Sequence, residues 1–237
     1  MILVTGDTHG DIGRFKNKAL KKLKCGDALI ICGDFGFVWD GSKKEQRILK
    51  KLGKMKYNVL FVEGVHENFE ELEKYETEYW CGGLTRRISG NLRQLMRGEI
   101  FEIAGKRVFA FGGGCSEEND TFLNPGDGNA ELRWKEEIPS DELLEHGLKN
   151  LSDNGNKVDF IVSYEPPAQL SEFLKIGKTD RNHINTYLED IKGKAYFEMW
   201  FFGRHHINKL IPPKYRAVFD DVVAAAESEY SKNRKIK

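Results

Sequence analysis

The sequence predicts an α/β fold built on a buried sheet, and three observations carry that reading. Short apolar runs alternate with polar segments of helical period through the first third of the chain, which is the pattern of βαβ units. Each apolar run there ends in glycine followed closely by Asp or His: Gly6-Asp7, Gly33-Asp34 and Gly64-Val65-His66. At 237 residues the chain is long enough for a substantial core, and an α/β fold of this size is expected to be one domain, residues 1–237.

Taken in order, residues 2–5, 28–32 and 59–62 read as strands, because they are short, apolar and rich in β-branched side chains. Residues 12–23 and 43–55 between them repeat apolar positions at helical spacing and turn many lysines outward, so both are expected to be helices. From 99 to 112 the pattern becomes two β-rich runs around Gly105-Lys106, a hairpin. Residues 112–128 open on three glycines and stay polar, which reads as a surface loop over a site. A helix is expected over 139–151, started by Ser140-Asp141 after Pro139. Residues 160–163 and 197–203 read as buried strands, and 209–211 and 217–219 as short strands completing a sheet. The lysine-rich tail from Ser231 is expected to fray.

Lys+Arg and Asp+Glu are equal at 37 each, so the whole molecule carries no bias toward polyanions or an anionic membrane. Nucleic acid would have to be met by a local patch. No apolar run reaches the length of a membrane-spanning helix, so no membrane association is expected. Cys25, Cys32, Cys81 and Cys115 are scattered without paired spacing, and the N-terminus reads directly into a strand; both features fit reduced thiols and a cytoplasmic protein.

Chemistry collects at the strand ends, where ligands bind in open α/β sheets. Alone, Asp7-Thr8-His9 is explained by capping of a following helix. Adding Asp34, His66 and His206, all at strand ends, makes a set of carboxylates and imidazoles suited to divalent Mn, Fe or Zn. His146 and His183 lie in polar helical segments and read as surface residues, and His205 faces away from His206 if that segment is extended. Trp39, Asp40 and the segment holding Arg86, Arg87, Asn91 and Arg93 fit either an anionic pocket or a solvated basic face. Trp80, Trp134 and Trp200 read as packing residues.

These segments, Gly6-Asp7-Thr8-His9-Gly10, Gly33-Asp34-Phe35-Gly36, Gly64-Val65-His66-Glu67, Ser163-Tyr164-Glu165-Pro166-Pro167 and Gly203-Arg204-His205-His206, resemble in order the motifs of the calcineurin-like metallophosphoesterases. The resemblance implies a four-layer αββα sandwich of two mixed sheets and the hydrolysis of phosphoester bonds. It implies one metal on Asp7, His9, Asp34 and His206, and a second on the shared Asp34 and three further ligands. Those three are replaced here by Val65, Tyr164 and Arg204, so one divalent ion per chain is expected. Val65 has no donor atom, Arg204 is a permanent cation, and Tyr164 would ligate only as phenolate. The resemblance implies that His66 acts as the acid toward the leaving group. Arg204 has the chemistry of a phosphate clamp that replaces the second ion's charge. The substrates implied are a phosphorylated small molecule, a nucleotide or a phosphoprotein. Two readings compete: a catalytically silent binding protein of the same fold, and a two-metal enzyme disabled by engineered substitutions.

Overall fold

The backbone alternates apolar side chains between two faces, and this alternation dictates the layers. In the computed structural model, which describes residues 1–115, 135–174 and 182–226, thirteen strands form two sheets. The first contains β1 (Ile2–Gly6), β2 (Ala28–Cys32), β3 (Asn58–Val62), β4 (Thr77–Trp80), β5 (Gly83–Ser89), β6 (Leu92–Leu95) and β13 (Val223–Ala224), in the order β13-β1-β2-β3-β6-β5-β4. The second contains β7 (Glu99–Ile103), β8 (Lys106–Phe111), β9 (Phe160–Ser163), β10 (Met199–Phe202), β11 (Lys209–Ile211) and β12 (Tyr215–Ala217), in the order β11-β12-β10-β9-β8-β7. Both are mixed. The centres, β1-β2-β3-β6 and β8-β9-β10-β12, run parallel, and antiparallel strands close the edges.

Within β2, Ala28, Ile30 and Cys32 face the second sheet while Leu29 and Ile31 face outward; within β10, Met199 and Phe201 face the first sheet while Trp200 and Phe202 face outward. Parallel strands buried on both faces need both residue sets apolar, and here they are. The outer face of the first sheet is covered by α1 (Lys43–Gly53) through Leu49 and Leu52, and by two 3-10 turns through Leu20 and Leu23. The outer face of the second is covered by α3 (Asp141–Asp153), α4 (Ala168–Leu174) and α5 (His183–Lys194) through Leu144, Leu151, Leu170, Ile184, Leu188 and Ile191. The result is a four-layer sandwich of two mixed sheets flanked by helices. A short helix, α2 (Phe69–Glu73), follows His66.

The hairpin expected at Gly105 is present, with Ala104 and Gly105 both at positive φ, the geometry a two-residue turn between twisted strands requires. Ser140 caps α3 by accepting the Leu143 N–H. Three expectations are corrected. Residues 12–23 form two 3-10 helices, Ile12–Lys16 and Lys18–Lys22, instead of one α-helix. The side chains of Asp11 and Asn17 accept the N–H groups of Gly13 and Ala19, and these local bonds restart the chain after one turn. The last strand of the second sheet is 215–217, not 217–219, because the chain leaves that sheet there. Val218 packs between the sheets, and the Phe219 carbonyl accepts from Gly6 of β1. The strand expected over 197–203 is shorter, Met199–Phe202. Residues 116–128 of the expected loop, Trp134 and the tail from Ser231 lie outside the described residues.

Candidate metal centre

The site forms where β1, β2, β3, β9 and β10 deliver their carboxyl ends to one edge of the sandwich. There the backbone departs from ordinary geometry. Eight non-glycine residues among those described have positive φ, and five of them are Asp7, His9, Asp34, Arg204 and His206. Such conformations are costly for L-residues and persist only where surrounding contacts impose them, a condition typical of functional sites.

The contacts that impose them are visible. The His9 N–H donates to the Asp34 carbonyl at 2.9 Å and the Gly10 N–H to the Phe35 carbonyl at 3.0 Å, joining the β1 and β2 loops. Glu67, fully buried, accepts the N–H groups of Phe35 at 2.5 Å and Gly36 at 3.2 Å. Gly64 lets the third loop approach, since a Cβ there would lie 2.0 Å from Asp34 Oδ1.

His9, Asp34 and His206 each offer one ligand atom, and these atoms all lie within 4.8 Å of one another. His9 Nε2 and His206 Nε2 face each other at 3.0 Å, and His9 Nε2 lies 3.9 Å from Asp34 Oδ2. Burial lowers the pKa of His9, with His206 and His66 adding to the shift against the opposing pull of Asp34, so the ring is held in the neutral form that ligates. Asp7 is fully buried. Its Oδ1 accepts the Arg204 N–H at 3.3 Å, whereas Oδ2 has no hydrogen-bond partner among the described residues. Burial first, and then the Asp34 carboxylate, push the Asp7 carboxyl well above its ordinary value. His9, Asp34 and His206 make a donor set that fits a divalent cation, and Asp7, which is not one of that group of three, adds a buried carboxylate with an orphaned oxygen.

Asp34 is the hub of the site. Burial raises its pKa, but the hydrogen bonds and charge of His66 outweigh burial and hold it below the ordinary value. The His66 N–H donates to Oδ1 at 2.9 Å and His66 Nδ1 meets Oδ2 at 2.9 Å, which places the proton of a neutral ring on Nδ1. Tyr164 donates its hydroxyl to the same Oδ2 at 2.9 Å.

Val65, Tyr164 and Arg204 stand together on the far side of Asp34. Tyr164 is buried against Gly33, where a Cβ would lie 1.9 Å from its ring, and Val65 is buried beside Gly114. Burial and then Asp34 push the Tyr164 phenol well above its ordinary value despite Arg204, so it remains a hydroxyl donor. The Arg204 guanidinium lies 5.6 Å above the Tyr164 ring, donates from Nη2 to the Cys115 carbonyl at 2.9 Å and places Nε 3.4 Å from Glu165 Oε1. Burial would lower its pKa, but Glu165 and Tyr164 more than offset this and keep it cationic. Glu165 is steadied by Asn185, which donates to Oε2 at 3.1 Å.

The other residues singled out by sequence fall elsewhere. His205 turns its ring to Phe202, and burial, then Arg204 and His206, lower its pKa to about 4. His146 pairs with Glu99 at 2.9 Å, and His183 lies 3.4 Å from Asp141. Arg93 pairs with Glu78 at 2.7 Å beneath Trp80, Arg87 lies 3.8 Å from the same carboxylate, and Asn91 holds the Met55 carbonyl, so these three serve the fold. Trp200 is fully buried, while Trp39 is exposed on a loop whose backbone is held by Glu45 and Asn68. Glu67, Glu165 and Asn185 were missed by sequence reasoning. Glu67 and Glu165 stand inside the quoted motifs, which was the available signal.

Among the described residues, no helix is long and apolar enough to cross a membrane. No curated protein matches the chain. Among solved structures, the chain is similar to a protein of unknown function from Aquifex aeolicus, at 15% identity and a TM-score of 0.34, over 83% of this chain and 87% of that one. The family model for calcineurin-like phosphoesterases matches residues 1–206, a span that takes in every loop of the centre from Asp7 to His206. With strand order, motif order and that match in agreement, the chain belongs to the calcineurin-like phosphoesterases.

Proposed function

We propose that the protein hydrolyses phosphoester bonds of a phosphorylated small molecule with one divalent cation, held by Asp7, His9, Asp34 and His206. The observation that carries this reading is the set of converging donors of His9, Asp34 and His206, with the orphaned oxygen of Asp7 beside them. When bound, a divalent cation supplies Lewis-acid polarisation of a phosphoryl oxygen and makes water acidic enough to act near neutral pH. To act as the acid, His66 carries a second proton, on Nε2, and gives it to the leaving oxygen, returning to the neutral ring with its proton on Nδ1. Its Nδ1–H is fixed on Asp34, which orients the ring, and its half-exposed position lets a substrate reach it. Arg204 contributes fixed positive charge beside Asp7 and Asp34; because Glu165 and Cys115 already engage it, it steadies charge from within the wall rather than reaching out as a clamp.

The test is a panel of phosphomonoesters and phosphodiesters assayed with Mn, Fe or Zn. Turnover that is lost on chelation and falls about 100-fold or more in His66→Ala supports the reading. One observation favours the competing silent binder: Tyr164, Val65 and Arg204 fill the second-site region with side chains that hold no metal. Tight metal binding with no turnover across the panel selects that alternative.

A further inference from the structure

A cavity opens on the carboxyl edge of the first sheet, lined by residues three positions before and after His66 but by none of the metal-centre residues themselves. It has a volume of about 500 Å³, within the range of small-molecule sites, and lies between β5 and β6 of one sheet and β7 and α3 of the other. The segment carrying His66 forms part of its wall, since Glu63 and Phe69 on either side both line it. Its apolar surface comes from Phe69, Leu84, Met96 and Leu143, and Leu143 remains 38% exposed.

The charges in this cleft are unequally satisfied. Glu63 is paired with Arg97 and accepts from Gln94 at 2.9 Å, and Glu99 is paired with His146. Arg97 is further spent on the carbonyls of Glu136 and Glu137. Arg86 differs: among the described residues its side chain makes one hydrogen bond, a 3.4 Å contact from Nη1 to the neutral Gln94 amide, and its buried Nε has no acceptor. A buried guanidinium N–H without an acceptor is costly and calls for one. Glu73 and Glu136, also lining the cleft, are exposed and lack a carboxylate-neutralising partner among the described residues, so a polyanion would be repelled where a single anionic group would not.

We infer that this cleft receives the organic part of the substrate: an apolar, aryl-sized group bearing one anionic oxygen group, which Arg86 pairs. The assignment rests on the hydrolytic reading for its link to turnover, but the binding itself does not. The same charges disfavour polyanions such as nucleic acid.

Two measurements test it. Titration with 8-anilinonaphthalene-1-sulfonate, an apolar aromatic with one anionic group, is expected to saturate at one equivalent and to weaken about ten-fold in Arg86→Gln. Leu143→Glu, which removes apolar wall and places a carboxylate at a position where Ser140 already caps the helix, is expected to weaken it as well while the melting temperature holds. Binding that does not saturate, or is unchanged in both folded variants, overturns the inference. In the second measurement, Arg86→Gln should lower the kcat/KM ratio of 4-carboxyphenyl phosphate over phenyl phosphate about ten-fold; an unchanged ratio counts against it. If neither ester is hydrolysed, the titration alone decides the cleft, and the panel of phosphomonoesters and phosphodiesters decides the hydrolytic reading.

Discussion

Asp34 receives three hydrogen bonds, two from His66 and one from Tyr164, and these fix its carboxylate before any cation arrives. Preorganisation of this kind makes the ligand's charge the main contribution left to remove by mutation. Asp34→Asn is therefore expected to weaken Mn²⁺ binding, measured by calorimetric titration, more than any change at Val65, Tyr164 or Arg204. Tyr164→Phe deletes only a hydrogen bond to Asp34, so it should cost about 1 kcal/mol of stability and leave Mn²⁺ affinity within a few-fold of wild type. A loss equal to that of Asp34→Asn would instead make Tyr164 a ligand. That Asp7, His9, Asp34, His66 and His206 gather at one edge was legible in the sequence because all five follow apolar runs that end in glycine, a set too large for helix capping alone. Glu67 and Glu165 were not, because a buried carboxylate that serves backbone N–H groups or a neighbouring Arg has no spacing rule of its own. The orphaned oxygen of Asp7 likewise appears only when burial and partners are both known.

At the scale of elements, a helix pair on the outer face of the second sheet carries an unresolved conflict. The Tyr187 hydroxyl on α5 is buried without a partner among the described residues, and a Cβ at Gly147 on α3 would lie 2.3 Å from it. Tyr187→Phe should stabilise the fold by about 1 kcal/mol, because it removes an unsatisfied polar group and keeps the ring packed on Phe111. Gly147→Ala should destabilise the wild type through that clash, and less so in the Tyr187→Phe background. Urea unfolding of the four proteins measures the coupling, and strict additivity would show that the hydroxyl is not what excludes the Cβ. Strands β1, β2, β3, β9 and β10 were legible because both faces are buried and each run is mainly apolar; β6 of the first sheet's parallel centre was not, since Arg93 and Gln94 interrupt its run. Strands β4 and β5 were not: Thr77–Trp80 alternates exposed and half-buried residues at a sheet edge, where tertiary pairing with β5 outweighs any local signal. The 3-10 turns near the N-terminus escaped for the converse reason, since period alone does not register what Asp11 and Asn17 do to the backbone.

Across the whole molecule, the metal centre is the place where the two sheets meet chemically. His9 and Asp34 follow strands of the first sheet, and His206 follows β10 of the second, so a cation held by all three would tie the sheets together. Binding to the folded state alone raises stability by about 2.7 kcal/mol at a ligand concentration 100 times Kd. For a chain of this size that is a rise of about 5–10 °C in Tm. Mn²⁺ in free excess at that ratio should produce it with one ion bound per chain, and His206→Ala should abolish most of it. The triple change Val65→Asn, Tyr164→His and Arg204→His gives a sharper forecast. It removes the cation that balances Glu165, whose side chain is only 3% exposed, so without metal the variant should melt below wild type. With metal it should take two equivalents and gain more than wild type does, because the second ion returns the charge that Arg204 supplied. Arg204→His alone should show the first loss without the second gain, since Tyr164 would still fill the space and Asp34 with one imidazole offers too few donors. Calorimetry and thermal melts across a Mn²⁺ series separate these cases. A triple variant that binds one ion and melts like the single variant would mean that the region beyond Asp34 cannot be reconverted by its ligands alone, and that the packing of Tyr164 against Gly33 has set the shape of the site as firmly as its charge.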